Sequence, residues 1–328
     1  MHYWRSLSLA HEAMKVGKGG TSGAHPGLRI DRKHLEKAVA GLRGRVTFDA
    51  LLRGYTSFKI GGPADVLVEP ADIDDVCRLL AQASATKLPL FVIGGTNLLI
   101  RDGGIRGIVV SLSKLRTIRE EAGAVLYAEG GVGMPTLIGY AIRRSLAGLE
   151  WAAGIPGTVG GCLVMNAGTR LGEMKDSIKA VRIVTAKGDV RDLSAASIRF
   201  DYRRAHLPKG IVVGVWLQLR PGIRAEIARI VKDYLHYRKD TQPLAMPSAG
   251  CVFKNPPRDS AGRLLEAAGL KGMRIGDAEV STKHGNFIVN RGHASAADVI
   301  GLIQKVRRMI KRKTGVRLDL ELKIVGEA

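Results

Sequence analysis

The decapeptide Pro247-Ser-Ala-Gly-Cys-Val-Phe-Lys-Asn-Pro256 sets a cysteine, Cys251, between two turn-forming segments. A thiol is either a small buried hydrophobe or a group that does chemistry, and its surroundings decide which. The three cysteines, Cys77, Cys162 and Cys251, are odd in number, widely separated and without CxxC spacing. That pattern argues against a disulfide framework and against a zinc site, so no metal is expected. The second chemical signal is a set of three glycine-rich loops. They are KIGGPAD (with Ile60, Gly61 and Gly62), IGGTNLL (with Gly94, Gly95, Thr96, Asn97 and Leu98) and GIPGTVGG (with Gly154, Ile155, Pro156, Gly157, Thr158, Gly160 and Gly161). Backbone amides beside residues without side chains form concavities that suit a pyrophosphate. The chain has neither a helix-opening GxGxxG nor a GxxxxGK[ST], so a dinucleotide here implies a plan other than the Rossmann or P-loop ones. Taken singly, each loop reads equally well as a turn.

Strand-like runs alternate with short helices and glycine turns from Thr56 onward, an α+β pattern. Residues 72–85 read as a helix capped by Asp72, with Val76, Leu79, Leu80 and Ala83 on one apolar face and Cys77 as ordinary packing. A helix is expected over 134–145 and a hairpin turning at Lys187-Gly188-Asp189. The apolar strand GIVVGVWLQL runs to Pro221-Gly222, where a boundary is placed. Beyond it the sequence predicts helices over 224–238 and near 263–268, the strand NFIVN, and a helix after Ser295 that stops at Gly315. A closing strand is expected over LDLELKIVG. Residues 1–45 are basic and Gly-rich around GKGGTSGAHPG, with one short helix near 32–42, and carry no recognisable chemistry. The expected division is an extension at 1–45, a first domain at 46–222 and a second at 223–328.

The formal charge of +21 on 328 residues has two readings: attraction to nucleic acid, or a basic enzyme whose small substrates are anionic. No aromatic-rich basic strand or recognition helix accompanies the charge, and the densest run, 305–313, falls on the solvated face of a predicted amphipathic helix. No stretch approaches the roughly 18 apolar residues of a membrane span, and no signal peptide is visible. The expectation is a soluble cytoplasmic protein that binds neither nucleic acid nor membrane.

The ordered segments TSFKIGGPADVLVEP, GGTNLLIRDGGIRGIVV, GLEWAAGIPGTVGG, MNAG, QPLAMPSAGCVFKNP, AGLKGMRIGDAEVSTKHGNFIVN and LELKIVG together resemble the UDP-N-acetylenolpyruvoylglucosamine reductases (MurB), from about residue 46 to the end. The spacing resembles the shorter class, with the SAG-type stretch. The resemblance implies an FAD-binding PCMH-type domain, like that of vanillyl-alcohol oxidase, followed by a smaller α+β substrate-binding domain. It implies hydride passage from NADPH through FAD to UDP-N-acetylglucosamine enolpyruvate, in cytoplasmic bacterial enzymes of peptidoglycan synthesis; a monomer is expected. The three glycine loops would hold FAD. Cys251 falls where the family places its proton donor, usually serine, and a thiol can deliver a proton as well. Arg203 matches a catalytic arginine suited to a carboxylate and a developing enolate, and Glu321 a catalytic glutamate. Tyr202, Lys239, Asn255 and His284 fall at substrate-binding positions. Three departures stand out: IGGTN is one residue shorter than the expected GxGSN, Ala205 replaces a serine, and Tyr55 replaces a commoner Asn or His. An FAD-dependent oxidase on the same scaffold is the alternative.

Overall fold

The computed structural model describes residues 30–328; the GKGGTSGAHPG stretch, part of the expected extension, lies outside the described residues. Helix α1 (Arg32–Val39) begins at Asp31, whose carboxylate accepts from the Lys33 amide. It buries Leu35, Ala38 and Val39 in a core shared with α2 (Ile73–Ala85). Asp72 caps α2 by accepting from the Asp75 amide at 3.0 Å, and Val76, Leu79, Leu80 and Ala83 form its buried face, as the spacing predicts. Asp75 is buried too. Burial pushes its carboxyl up, but hydrogen bonds from the Ala71, Arg43 and Gly44 amides more than offset this and hold it below the usual carboxylate range.

Two sheets build the first region. One has four strands in the order Arg45–Leu51, Pro63–Glu69, Ile105–Ser111 and Leu90–Ile93. Its first pair is antiparallel and the rest parallel, and α2 is the crossover that the parallel pairing needs. The other sheet is antiparallel with five strands: Val190–Ser194, Ile178–Thr185, Gly210–Gln218, Val125–Glu129 and Ile118–Glu121. The strand from Gly210 lies at its centre, and five of its nine residues in succession, Ile211 to Val215, are buried, which is why it reads as a continuous apolar run. Helix α3 (Met134–Arg143) and the short α4 (Val159–Val164) pack against this sheet's core.

The second region holds α6 (Ala261–Ala267), α7 (Ala296–Thr314) and an antiparallel sheet ordered Ser248–Cys251, Phe287–Asn290, Ala278–Val280, Arg274–Ile275, while α5 (Arg224–Thr241), beyond the expected boundary at 222, buries Val231 and Tyr234 in the core of the first region. Helix α7 buries Val299, Leu302, Ile303, Val306 and Ile310 and turns most of its basic run outward. It ends at Gly315, whose φ of 75° lies in the left-handed region that favours glycine. Among the described residues no helix is long and apolar enough to cross a membrane.

The expected closing strand is interrupted. Glu321 and Leu322 donate their amides to the Val252 carbonyl in the second region, and then Lys323–Val325 pairs in parallel with Leu98–Ile100 in the first. A chain that changes partner within two residues cannot keep a regular ladder. Two polar side chains add to this seam. Asp102 accepts from the amides of Ala296 and Ala297 at 2.9 and 3.0 Å from across the boundary, adding to the cap that Ser295 makes with the Asp298 amide. Buried Asn290 donates to the Phe58 carbonyl at 3.1 Å.

Candidate active site

The loops at 93–97 and 156–161 pack against each other, and Ile93 to Thr96 with Gly157 and Thr158 line a cleft of about 400 Å³. Ile93 leaves its strand into Gly94-Gly95, and Thr158 closes on that turn by donating its amide and hydroxyl to the Gly94 carbonyl, at 3.2 and 3.1 Å. A Cβ at Gly94 would stand 2.9 Å from Thr158 Oγ1, and one at Gly161 would strike the Gly94 backbone, so the approach requires glycine at both positions. Thr96 Oγ1 reaches the Pro156 carbonyl at 3.5 Å. Among the described residues the amides of Gly95 and Thr96 donate to no protein acceptor. Two successive unpaired amides in a glycine turn are donors a pyrophosphate can accept from, so these residues fit the phosphate part of a dinucleotide.

Other expected loop residues take supporting places. Ile60 is buried in the core of the second region, and the Gly62 amide donates to the Arg101 carbonyl at 3.1 Å, so Ile60, Gly61 and Gly62, expected at the cofactor, do not line the cleft. Leu98 is buried at the start of the strand that meets Lys323. Gly160 packs on Gly130, and Gly154 sits under Leu235 and Arg238 of α5. Ile155 packs against the core of the first region. Tyr55, Ser57, Ser113, Arg116 and Thr136 also line the cleft. Nothing in their spacing marks them, because they arrive from three separate segments.

Residues expected to do chemistry converge from three distant stretches. Tyr202 and Arg203 are the turn of a hairpin between Arg199–Asp201 and Arg204–His206. Arg203 has φ 59°, which a non-glycine residue rarely adopts. The turn leaves Tyr202 55% exposed, while the Arg203 guanidinium donates to Glu321 Oε1 at 2.8 Å. Burial would lower the Arg203 pKa, but Glu321 more than compensates and raises it. Glu321 is fixed through its backbone: its amide donates to Val252, and its carbonyl accepts from Asn97 Nδ2 at 3.1 Å. Asn97 therefore ties the glycine loop to the carboxylate.

Cys251 ends the strand from Ser248, after Gly250 with φ 73°. Burial, and then the Glu321 charge, push its thiol up to about 12. Arg203, Arg238 and a hydrogen bond with Asn286 pull the other way without winning. Such a thiol stays protonated at neutral pH, which suits an acid and not a nucleophile. Asn286 is itself locked by a reciprocal pair with the Phe253 backbone, at 2.9 and 2.8 Å.

Arg238 is the residue that sequence reading passes over in favour of its neighbour. It donates to the Ala153 carbonyl at 3.1 Å and to Gln242 Oε1 at 3.1 and 2.8 Å, joining α5 to the 154–161 loop, and its charge acts on Cys251. Lys239, one residue on, is exposed along the α5 face that carries Lys232, Leu235 and His236. Helical geometry separates neighbours by about 100°, which is why only one of the pair can face Cys251. Asn255 is exposed, and its Oδ1 accepts from the Ala261 amide at α6. His284 accepts from the Asn286 amide through Nδ1 at 3.2 Å and packs edge-on to Phe287; burial and then Lys271 lower its pKa.

Comparison with known proteins places this arrangement in a family. Residues 64–194 match the family described as FAD binding domain, and residues 242–325 match the C-terminal domain of UDP-N-acetylenolpyruvoylglucosamine reductase. The UDP-N-acetylenolpyruvoylglucosamine reductase 2 of Symbiobacterium thermophilum is 46% identical over 286 residues, spanning 86% of this chain and 93% of its own. The reductase of Caldanaerobacter subterraneus subsp. tengcongensis is 44% identical over 287 residues, spanning 87% and 95%. The solved UDP-N-acetylenolpyruvylglucosamine reductase (MurB) of Thermus caldophilus superposes with a TM-score of 0.74 at 37% identity, covering 87% of this chain and all of that one. With two halves that match the two parts of one enzyme and full-length relatives at this identity, the chain belongs to the UDP-N-acetylenolpyruvoylglucosamine reductases, a family of FAD-binding oxidoreductases.

Proposed function

We propose that this protein reduces UDP-N-acetylglucosamine enolpyruvate to UDP-N-acetylmuramate at the expense of NADPH, in the cytoplasmic synthesis of peptidoglycan precursors. In this reading residues 46–222 hold FAD and 223–328 bind the sugar nucleotide, in a chain that acts as a monomer. FAD, when bound, supplies the hydride-transfer chemistry between NADPH and the enolpyruvyl β-carbon. The observation that carries the proposal is the 2.8 Å pair of Arg203 and Glu321, whose charges both act on Cys251 and which Asn97 ties to the glycine loop.

Each group has a task that its surroundings suit. The Arg203 guanidinium keeps donors beyond the one committed to Glu321, so it can hold the substrate carboxylate and stabilise the charge that moves onto it as the β-carbon gains hydride. Cys251 then gives its proton to the α-carbon, and the resulting thiolate is recharged from solvent. Glu321 holds Arg203 in place and, by disfavouring the thiolate, keeps the donor loaded. The loop at 93–97 and Thr158 hold the pyrophosphate of FAD.

Steady-state NADPH oxidation by the flavin-loaded protein tests the proposal. Consumption should depend on the enolpyruvyl sugar nucleotide and yield the lactyl ether in equal amount. Rapid NADPH consumption in air without that substrate, and no acceleration by it, would replace this reading with an oxidase.

A further inference from the structure

The loop between Ala167 and Met174 forms a small hairpin, with Gly168–Thr169 paired to Gly172–Glu173. Thr169 pins it: its hydroxyl donates to the Trp151 carbonyl at 2.9 Å and accepts from the Leu171 amide at 3.2 Å. One end reaches the active site, since a Cβ on Gly168 would stand 3.2 Å from the Arg203 guanidinium. The other end carries Arg170, which is exposed. Its guanidinium lies 4.2 Å from the Tyr237 ring centre and 5.8 Å from that of Tyr234, two rings of α5 only 12° from parallel. Among the described residues Arg170 has no carboxylate partner and no hydrogen bond.

A guanidinium that lies over an aromatic ring spends its face on the contact and keeps its N–H edge for an anion. Stacking also restricts a flexible side chain, so less entropy is lost when the anion arrives. An exposed arginine without a counter-ion, oriented in this way one hairpin's length from Arg203, is a hydrogen-bond donor aimed at an anion. The geometry points to Arg170 as a binding residue for the diphosphate of the sugar nucleotide, with Tyr237 as the platform that aims it. Arg203 would take the carboxylate end of the same molecule and Arg170 the diphosphate end. Lys239, the cation expected from sequence at this subsite, lies on another face of α5. This inference rests on the function proposed above and adds a specificity-determining residue to it.

The test compares the wild-type holoenzyme with Arg170→Ala, Arg170→Lys and Tyr237→Leu. A charge-assisted hydrogen bond to phosphate is worth roughly ten- to a hundredfold in affinity. Arg170→Ala should therefore raise KM for the UDP-sugar by at least about tenfold, with kcat within about twofold and flavin content unchanged. The lysine variant should recover part of the loss, and Tyr237→Leu should show a smaller loss than Arg170→Ala. UDP, titrated by its perturbation of the flavin spectrum, should lose affinity in Arg170→Ala, while uridine should not. Unchanged KM, or equal losses for UDP and uridine, would reduce Arg170 to a tether between the hairpin and α5. Absence of UDP-sugar-dependent turnover in the wild type would instead remove the proposed function, whereas turnover with an indifferent Arg170→Ala would remove only this inference.

Discussion

Replacing Cys251 by alanine should leave FAD binding and reduction by NADPH intact but slow flavin reoxidation by the enolpyruvyl sugar by about 10²–10⁴-fold, the usual contribution of a placed general acid. Cys251→Ser should recover much of the rate. The structure adds a magnitude that separates a proton donor from a nucleophile. Burial, and then the Glu321 charge, push the thiol from an ordinary 9.0 up to about 12. At pH 8 an ordinary thiol is about one-tenth thiolate, whereas Cys251 is about one part in ten thousand. Alkylation by iodoacetamide, which needs the thiolate, should thus run roughly thirty- to sixtyfold more slowly than for a free cysteine, because the greater nucleophilicity of a more basic thiolate offsets part of the fall in its population, as followed by mass spectrometry of the peptide. The sign of the neighbouring charges gives a second check. Glu321→Gln removes a negative charge, so the Cys251 pKa should fall and alkylation accelerate. Because the donor stays protonated, the reoxidation rate should show no loss of an acid between pH 7 and 10. Alkylation of Cys251 with a midpoint near pH 8.5, or parental reoxidation by the alanine variant, would refute this account and leave Cys251 as a packed thiol.

Arg203→Ala should lower kcat/KM for the sugar nucleotide by about 10²-fold or more while NADPH still reduces the flavin, since a charge-stabilising donor of this kind is typically worth that much; stopped-flow separation of the two half-reactions checks it. Asp102→Ala leaves the amides of Ala296 and Ala297 without their carboxylate while the Ser295 cap of α7 remains, and should cost about 1 kcal/mol in urea unfolding. Deletion of residues 1–29 should preserve flavin content and turnover. Extending the deletion to residue 45 should lower Tm, because it strips Leu35, Ala38 and Val39 from the core over α2. KM for the sugar nucleotide should rise with salt, since a net charge of +21 attracts an anion through a field screened over about 8 Å at physiological ionic strength; a salt-independent KM would count against that attraction.

Local signals made much of this protein legible before any fold was known. Asp72, the apolar spacing in α2 and the glycine at 315 are short-range features whose physics lies within one helix. The order of glycine loops and the SAGC stretch carried the family, because a backbone that approaches a phosphate or another backbone this closely admits few residue types. Tertiary structure alone decided how the site is assembled. Glu321 is an unremarked strand residue until the chain passes from Val252 to Asn97 and sets its carboxylate against Arg203, 118 positions away in sequence. Arg238 and Lys239 are equivalent basic residues in the sequence, and only the rotation of α5 about its axis gives one to Cys251 and the other to solvent. Arg170 gains its meaning from two tyrosines on a helix more than sixty residues away. Spacing along a chain reports neighbours within a helix turn or a hairpin, whereas the charge, burial and orientation of a side chain are set by whatever the fold packs beside it.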